Sequence, residues 1–116
     1  MFSAEGGQAA STELLDRGVT AIVCASDPLA LGAVRAVRRR GLDVPTDVSV
    51  VGFDDSAFMK HTDPPLTTVR QPIESMGRAA VERLVSQLDG RRDGPRELLY
   101  APELVVRSST GGAPNR

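Results

Sequence analysis

The chain has 116 residues, with 14 Lys and Arg against 15 Asp and Glu, which gives a formal net charge of −1. This balance excludes the strongly basic surface on which nucleic-acid or anionic membrane binding depends. The single cysteine, Cys24, excludes an internal disulfide and suits a reducing compartment. No apolar run reaches the roughly 20 residues of a transmembrane helix, and residues 1–5 lack the features of a secretory leader. We therefore expect a cytoplasmic protein.

Helical and strand patterns alternate from the start of the chain, which predicts an α/β fold with a parallel sheet flanked by helices. Ser3 is placed to cap a first helix, and Gly18 fits the position just beyond its end, where a positive φ is usual. The apolar side of this helix is predicted to consist of Ala10, Leu14 and Leu15.

The apolar residues 21–25 predict a buried strand, and a second helix follows at once. Asp27 is the predicted N-cap and Pro28 the first helical residue, because the missing N–H of proline is no loss there. Gly41 is predicted to end this helix. One apolar stripe along it is formed by Ala30, Ala33, Val34 and Val37.

Basic residues crowd the end of the second helix, namely Arg35, Arg38, Arg39 and Arg40. They raise the possibility of nucleic-acid binding. Most of them fall in the last helical turn, however, where cations interact favourably with the negative end of the helix dipole. We therefore favour a solvated helix end.

Residues 48–53 predict a further buried strand, and 66–70 another after a loop. Pro72 opens the most regular helix, which Gly90 ends. Its apolar face is predicted to contain Ile73, Met76, Ala80, Val81, Leu84, Val85 and Leu88. Residues 89–95 are predicted to form a charged turn, and 98–100 and 104–106 to form short strands on either side of Pro102.

Two carboxylates, Asp54 and Asp55, follow the 48–53 strand at its carboxyl end, where open α/β sheets hold their ligands. Adjacent side chains on extended backbone point in opposite directions, so the two acids are not a matched acid/base pair. One of them can face a cleft, where its two oxygens would accept hydrogen bonds from neighbouring hydroxyls. The alternative is an ordinary loop or capping carboxylate.

Several ordered segments together resemble the C-terminal part of the effector-binding domain of LacI/GalR family transcriptional regulators. The similarity begins near Phe2. Its segments are AIVCASDPLALGA at 21–33, VPTDVSVVGFDD at 44–55, PPLTTVRQP at 64–72 and PELVVRSST at 102–110.

The resemblance implies a partial periplasmic-binding-protein-like fold for residues 1–110, with the helix at 73–89 packing in the other lobe of an intact receptor. Residues 111–116, which offer nothing to bury, are expected to be a disordered tail. The family's helix-turn-helix headpiece is absent from this chain. We therefore expect DNA binding only through such a headpiece, and only weak, salt-sensitive association by this chain alone.

The resemblance also assigns effector-binding residues. Asp54 matches the position at which family members bind a small-molecule effector, expected to be a carbohydrate. Ser26 and Gln71 are subordinate contacts, and Ser26 replaces an Asn that the family often carries. Ile73 could add apolar wall nearby. For Asp27, a helix cap is favoured over a ligand contact.

Self-association as a homodimer is a further expectation. Leu31 lies off the apolar stripe of its helix, and Phe58 and Met59 are expected to add apolar surface in a loop that also contains His61. LacI/GalR dimers use the corresponding surfaces. The alternative interpretation is that these side chains form no interface, since isolated exposed apolar side chains are ordinary.

Other chemistry has little support. His61 lacks a His or Cys partner at metal-ligand spacing, and Cys24 in an apolar strand is expected to be inert. No Gly-x-Ser-x-Gly, Gly-x-Gly-x-x-Gly or Walker A pattern occurs, so we expect neither an enzyme nor a cofactor.

Three function classes fit a strand that ends in paired acids. A fragment of a LacI-type regulator is favoured, and a sugar-binding protein of an uptake system with the same fold is the alternative. A two-component receiver domain would need a lysine after its last strand, whereas the only lysine here, Lys60, lies in a loop. The receiver is therefore disfavoured.

Overall fold

The computed structural model describes residues 3–90 and 100–115. Its elements are α1 (Ala4–Asp16), β1 (Ala21–Val23), α2 (Asp27–Arg39), β2 (Ser49–Val51), a 3-10 turn (Met59–His61), β3 (Thr68–Arg70), α3 (Ile73–Leu88) and β4 (Glu103–Val105). The chain divides into two compact units. Unit 1 comprises Met1–Arg70 and Leu104–Arg116, and unit 2 comprises Gln71–Glu103.

Helix α1 begins as predicted, because the Ser3 hydroxyl oxygen accepts a hydrogen bond from the Gly6 amide. Gly18 follows it with φ of 77°. The predicted apolar side is wrong for Ala10 and Leu14, which are exposed. The buried residues are Gly7, Ser11 and Leu15.

Small residues are buried there because α1 and α2 approach each other through their backbones. A Cβ added at Gly7 would lie 2.3 Å from the Leu29 carbonyl oxygen, and one at Gly32 would lie 2.0 Å from the Ala4 carbonyl oxygen. Close backbone approach of this kind is open only to glycine. The helix pair therefore excludes larger side chains at its crossing.

Strands β1 and β2 pair in parallel, with Ala21, Ile22 and Val23 opposite Ser49, Val50 and Val51. The first strand is buried on one face only, since Ile22 is buried while Val23 is 80% exposed. The sequence predicted both strands. The predicted strands are longer than the observed ones, and the first was expected to be buried on both faces. The core of unit 1 lies between this sheet and α2.

Helix α2 has Ser26 as its N-cap, so the prediction that Asp27 caps it is wrong. The Ser26 hydroxyl oxygen accepts from the Leu29 amide at 3.4 Å, and Asp27 is the first helical residue. The predicted apolar stripe of Ala30, Ala33, Val34 and Val37 is confirmed, because all of these side chains are buried. Gly41 follows the helix with φ of 70°.

Ser109 fills the position beside β2 that a neighbouring strand would otherwise occupy. Its carbonyl oxygen accepts from the Val50 amide at 2.9 Å, and its hydroxyl donates to the Val50 carbonyl oxygen at 2.6 Å. The same hydroxyl oxygen accepts from the Thr67 amide at 2.8 Å. One buried serine therefore joins β2 to the segment that leads into β3.

Strand β3 pairs with β4, and an isolated parallel bridge links Val51 to Thr67. Strand β3 is shorter than the predicted 66–70, and β4 begins one residue before the predicted 104–106 and has the same length. Of the strand predicted at 98–100, residues 98 and 99 lie outside the described residues, and Tyr100 is not in a strand. At the tail, Gly111 donates from its amide to the Ser49 hydroxyl oxygen at 3.1 Å.

The loop before β3 contains a buried side chain that was expected at the surface. Met59 belongs to the core of unit 1, so the prediction that it adds exposed apolar surface is wrong. Its carbonyl oxygen accepts from the Leu66 amide at 3.0 Å, which folds the loop back over the core. In contrast, the neighbouring Phe58 is 76% exposed.

Unit 2 consists mainly of α3, whose start after Pro72 and end before Gly90 agree with the sequence pattern. None of its residues is buried, although its apolar positions follow helical spacing. The Tyr100 hydroxyl donates to the Ser75 carbonyl oxygen at 3.4 Å within this unit.

Within residues 3–90 and 100–115, none of the helices combines the length and apolar character needed to cross a membrane.

We expect Ser109→Ala to destabilise unit 1 by about 1–3 kcal/mol for each buried group left without a partner, namely the Val50 carbonyl and the Thr67 amide. Ser108→Ala is the matched control, because Ser108 is the adjacent serine and is exposed. Urea denaturation followed by circular dichroism measures the difference in unfolding free energy. Equal stability of the two variants would contradict this account of Ser109.

Candidate functional site

The carboxyl ends of β1 and β2 bring two of the predicted effector contacts, Ser26 and Asp54, to the same edge of the sheet in unit 1. Ser26 lies three residues after β1 and is partly buried. Asp54 lies three residues after β2 and is exposed. This edge is where parallel sheets of α/β proteins hold their ligands.

The backbone after β2 adopts a conformation that is rare for residues with a side chain. Asp54 has φ of 108° and Asp55 has φ of 56°. Such conformations cost on the order of 1–3 kcal/mol each and persist only where the surrounding structure holds them. The bonds that hold this loop therefore bear directly on the position of Asp54.

Three consecutive amides of the loop are bonded to other elements. The Asp54 amide donates to the Val69 carbonyl oxygen at 2.9 Å, and the Asp55 amide to the Thr68 hydroxyl oxygen at 3.3 Å. The Ser56 amide donates to Asp27 Oδ2 at 2.7 Å. Residues 54–56 are thus fixed to both β3 and the start of α2.

Asp27 is fully buried and acts as an internal acceptor. Besides Ser56, it accepts from the Thr68 hydroxyl through Oδ1 at 3.0 Å. Gly52 makes room for it, since a Cβ there would lie 2.4 Å from Asp27 Oδ1. The sequence reasoning favoured a capping role over a ligand contact. In the structure, the buried carboxylate accepts hydrogen bonds from the loop that carries Asp54 and from β3.

Asp55 is bound by two arginines. Its Oδ2 accepts from Arg70 Nε at 2.7 Å, and its Oδ1 accepts from an Arg107 guanidinium nitrogen at 2.8 Å. Burial raises the pKa of Asp55, but the hydrogen bonds and charges of Arg70 and Arg107 together outweigh it and hold the pKa below its ordinary value. Asp55 is therefore a charged, bonded carboxylate at neutral pH.

The remaining predicted contacts differ in their surroundings. The Ser26 hydroxyl oxygen accepts the capping hydrogen bond from Leu29, which leaves its O–H as the group that could donate to a ligand. Gln71 belongs to unit 2, where its carbonyl oxygen accepts from the Ile73 amide at 2.8 Å. The effector roles of Ser26, Asp54 and Gln71 stay predictions.

Sequence reasoning missed the residues that support the loop, above all Thr68, Arg70 and Arg107. A signal was present for Arg107, which follows apolar residues at the end of a strand. A charged side chain in such a position usually needs a buried partner. The partner, Asp55, lies 52 positions earlier in the chain, and no local pattern identifies it.

Two side chains with potential chemistry lie apart from this loop. Cys24 is buried, and desolvation raises its pKa to about 11, so its thiol is protonated at neutral pH, as expected for an inert cysteine. His61 is exposed. In the described part of the chain, no group of three or more His, Cys, Asp or Glu side chains is placed to hold a metal ion.

The residues predicted to form a dimer interface are exposed except for Met59. Leu31 is 37% and Phe58 76% exposed, and His61 is exposed as well. A surface cleft of about 520 Å³ lies beside Leu31. It is lined by Leu31, Val34, Arg35, Arg38, Arg39, Thr62, Asp63, Pro64 and Leu66. Apolar surface is therefore available at the predicted interface.

Comparison with known families gives one match over almost the whole chain. Residues 2–110 match the periplasmic binding protein-like domain. The chain belongs to this family. The expected fold class, a partial periplasmic-binding-protein-like α/β fold, is confirmed.

Curated relatives of this periplasmic-binding-protein-like chain are transcriptional regulators. The HTH-type transcriptional regulator MalR of Streptomyces coelicolor is 57% identical over 98% of the chain and 33% of its own length. CelR of Thermobifida fusca, also an HTH-type transcriptional regulator, is 44% identical over 93% of the chain and 32% of its own length. The chain thus spans about a third of the length of these relatives.

Solved structures agree. A structure described as a transcriptional regulator CelR–cellobiose complex matches with a TM-score of 0.86 and 44% identity, over 93% of this chain and 34% of that one. A lac repressor dimer bound to operator and the anti-inducer ONPF matches with a TM-score of 0.83 and 38% identity, over 93% of this chain and 38% of that one. The resemblance to the LacI family is therefore confirmed.

We expect Asp27→Ala to cost about 1–3 kcal/mol for each of the two buried donors that it strands, the Ser56 amide and the Thr68 hydroxyl. Asp27→Asn should cost less, because its amide oxygen can still accept one of these bonds. Chemical denaturation gives both values, with Asp43→Ala, an exposed aspartate, as the control. A loss of stability in Asp43→Ala as large as that in Asp27→Ala, or no loss in Asp27→Ala, would contradict the assignment.

Proposed function

We propose that this chain is the effector-binding and dimerisation region of a LacI-type transcriptional regulator, with a sugar or similar hydroxyl-rich small molecule as effector. The observation that carries the proposal is the exposed Asp54 carboxylate on a loop held at the carboxyl end of a parallel strand. The relatives support it, because those compared above are regulators.

The chemistry of Asp54 suits a sugar. A carboxylate accepts hydrogen bonds through two oxygens and can hold two neighbouring hydroxyls, and charge-assisted bonds of this kind are stronger than neutral ones. The Ser26 O–H can add one weaker contact. One matched regulator structure is described with cellobiose, and a LacI family regulator from Enterococcus faecium with bound ribose. These sugars support the class of ligand and leave the particular sugar open.

Regulation would follow from differential binding. An effector that binds one arrangement of the receptor more tightly shifts the population toward that arrangement, by no more than the difference in binding free energy. In the regulator that we propose, this shift changes DNA binding by a helix-turn-helix elsewhere in the protein. Helix α3, whose apolar face is unburied, is proposed to pack in the other lobe of the receptor.

The proposed role is binding without catalysis, in a cytoplasmic regulator. The matched relatives are bacterial transcriptional regulators, which favours a cytoplasmic regulator over the alternative of an uptake protein. We infer that the chain binds its ligand and does not convert it.

We predict that Asp54→Ala weakens effector binding by about 1.5–3 kcal/mol for each charged hydrogen bond lost, or roughly ten-fold or more in Kd. Isothermal titration of the full-length regulator that contains this chain measures it, with cellobiose, ribose and a panel of other mono- and disaccharides.

Asp43→Ala is the control for this experiment, since it removes an exposed aspartate away from the loop. Wild-type affinity in Asp54→Ala would exclude Asp54 as a contact. Failure of the wild type to bind any sugar would overturn the proposed class of effector.

We also predict that Phe58→Glu and Leu31→Glu shift the regulator from dimer to monomer, because each places a charge in apolar surface that a partner would cover. Sedimentation equilibrium at tens of micromolar protein measures the mass. Ala9→Glu, which adds the same charge on the exposed side of α1, should remain dimeric. An unchanged dimer in both test variants would place the interface elsewhere.

A further inference from the structure

The pairing of Asp55 with two arginines connects the loop that carries Asp54 to two distant points of the chain. Arg70 is the last residue before the chain passes into unit 2. The chain re-enters unit 1 at Leu104, and Arg107 follows three residues later. Both arginines belong to unit 1 and bind the same carboxylate, one at each oxygen. Asp55 thus joins β3, the segment just after β4 and the loop after β2.

The two arginine contacts differ in how far their side chains are exposed to water. The Arg107 side chain is only 14% exposed and that of Asp55 11%, whereas Arg70 is 49% exposed. Water and salt screen the exposed pair more effectively. Arg107 also donates to the Leu66 carbonyl oxygen at 2.9 Å, so its guanidinium is held on two sides. The Asp55–Arg107 pair is therefore the firmer of the two.

Both carboxylate oxygens of Asp55 are engaged by arginines. Each carboxylate oxygen already accepts a charge-assisted hydrogen bond, and the side chain is mostly buried. Asp54, one residue before it, is exposed. Any change at Asp55 must therefore reach a ligand on Asp54 through the backbone of the loop, which has a positive φ at both residues.

We propose that Asp55 is a positioning residue for effector binding: it does not contact the effector but fixes Asp54 in place and ties the effector loop to both segments through which unit 1 connects to unit 2. This inference rests on the proposed function of Asp54. The low pKa of Asp55, which the two arginines maintain against the effect of burial, keeps the pairing charged at neutral pH.

A double-mutant cycle on the full-length regulator tests the proposal. The variants are Asp55→Asn, Arg107→Gln and the double variant, and the measurement is Kd for the sugar of the above panel that binds the wild type. We expect each single variant to weaken binding about ten-fold and the double variant to weaken it no further than Asp55→Asn alone, because all three lack the Asp55–Arg107 pair, the firmer of the two that Asp55 makes. Ser109→Ala, which destabilises unit 1 without touching the loop, should bind like the wild type.

Amide hydrogen exchange of the sugar-free protein gives a second readout. In Arg107→Gln, the Asp54 and Ser56 amides should exchange at least about ten-fold faster relative to the core amide of Cys24, which donates to Val51. In Ser109→Ala this ratio should not change. A loss confined to overall stability would move all three amides together.

Each outcome bears on a different claim. Wild-type binding and exchange in Arg107→Gln would overturn the positioning role, as would losses in the double variant that multiply, since these would show that Asp55 and Arg107 affect binding independently and not through their pair. If no sugar binds the wild type, the proposed effector class fails, and the exchange measurement still decides whether Asp55 holds the loop.

Discussion

The buried carboxylate of Asp27 is the interaction on which the arrangement of unit 1 at this edge depends. It lies in the first turn of α2 and accepts hydrogen bonds from the loop after β2 and from β3. A buried carboxylate is tolerable only when its oxygens are bonded, and here both are. The need to satisfy this one buried side chain therefore sets the spacing of three elements, and Gly52 is required because any side chain there would meet Asp27.

The sequence was sufficient for the order of the elements because periodicity and end signals are local. The stripe of α2, the cap at Ser3 and the glycines that follow the helices all depend on residues within a few positions of one another. The sequence was less reliable for α1, in which Gly7 and Ser11 are buried in place of the expected Ala10 and Leu14. That face is set by how closely α2 approaches, which is a tertiary constraint.

The candidate site was predictable only in outline. Acidic residues after a strand placed the candidate site at one edge of the sheet, but the arginine partners of Asp55 were not predicted, because Arg70 and Arg107 are distant from it in the sequence. The prediction that Met59 is exposed was wrong for a similar reason. A loop methionine has no periodic neighbours to show that it is buried, and its place in the core follows from how the loop folds back onto Leu66.

The strained loop also bears on how a ligand would bind. A flexible loop must be ordered when its ligand arrives, and that loss of conformational freedom reduces affinity. Here the amides of residues 54–56 all donate to other groups of unit 1, and Asp55 is held by two arginines. The unfavourable backbone of Asp54 and Asp55 is thus offset during folding rather than during binding. Ligand contacts made by Asp54 would then contribute to affinity with little ordering cost.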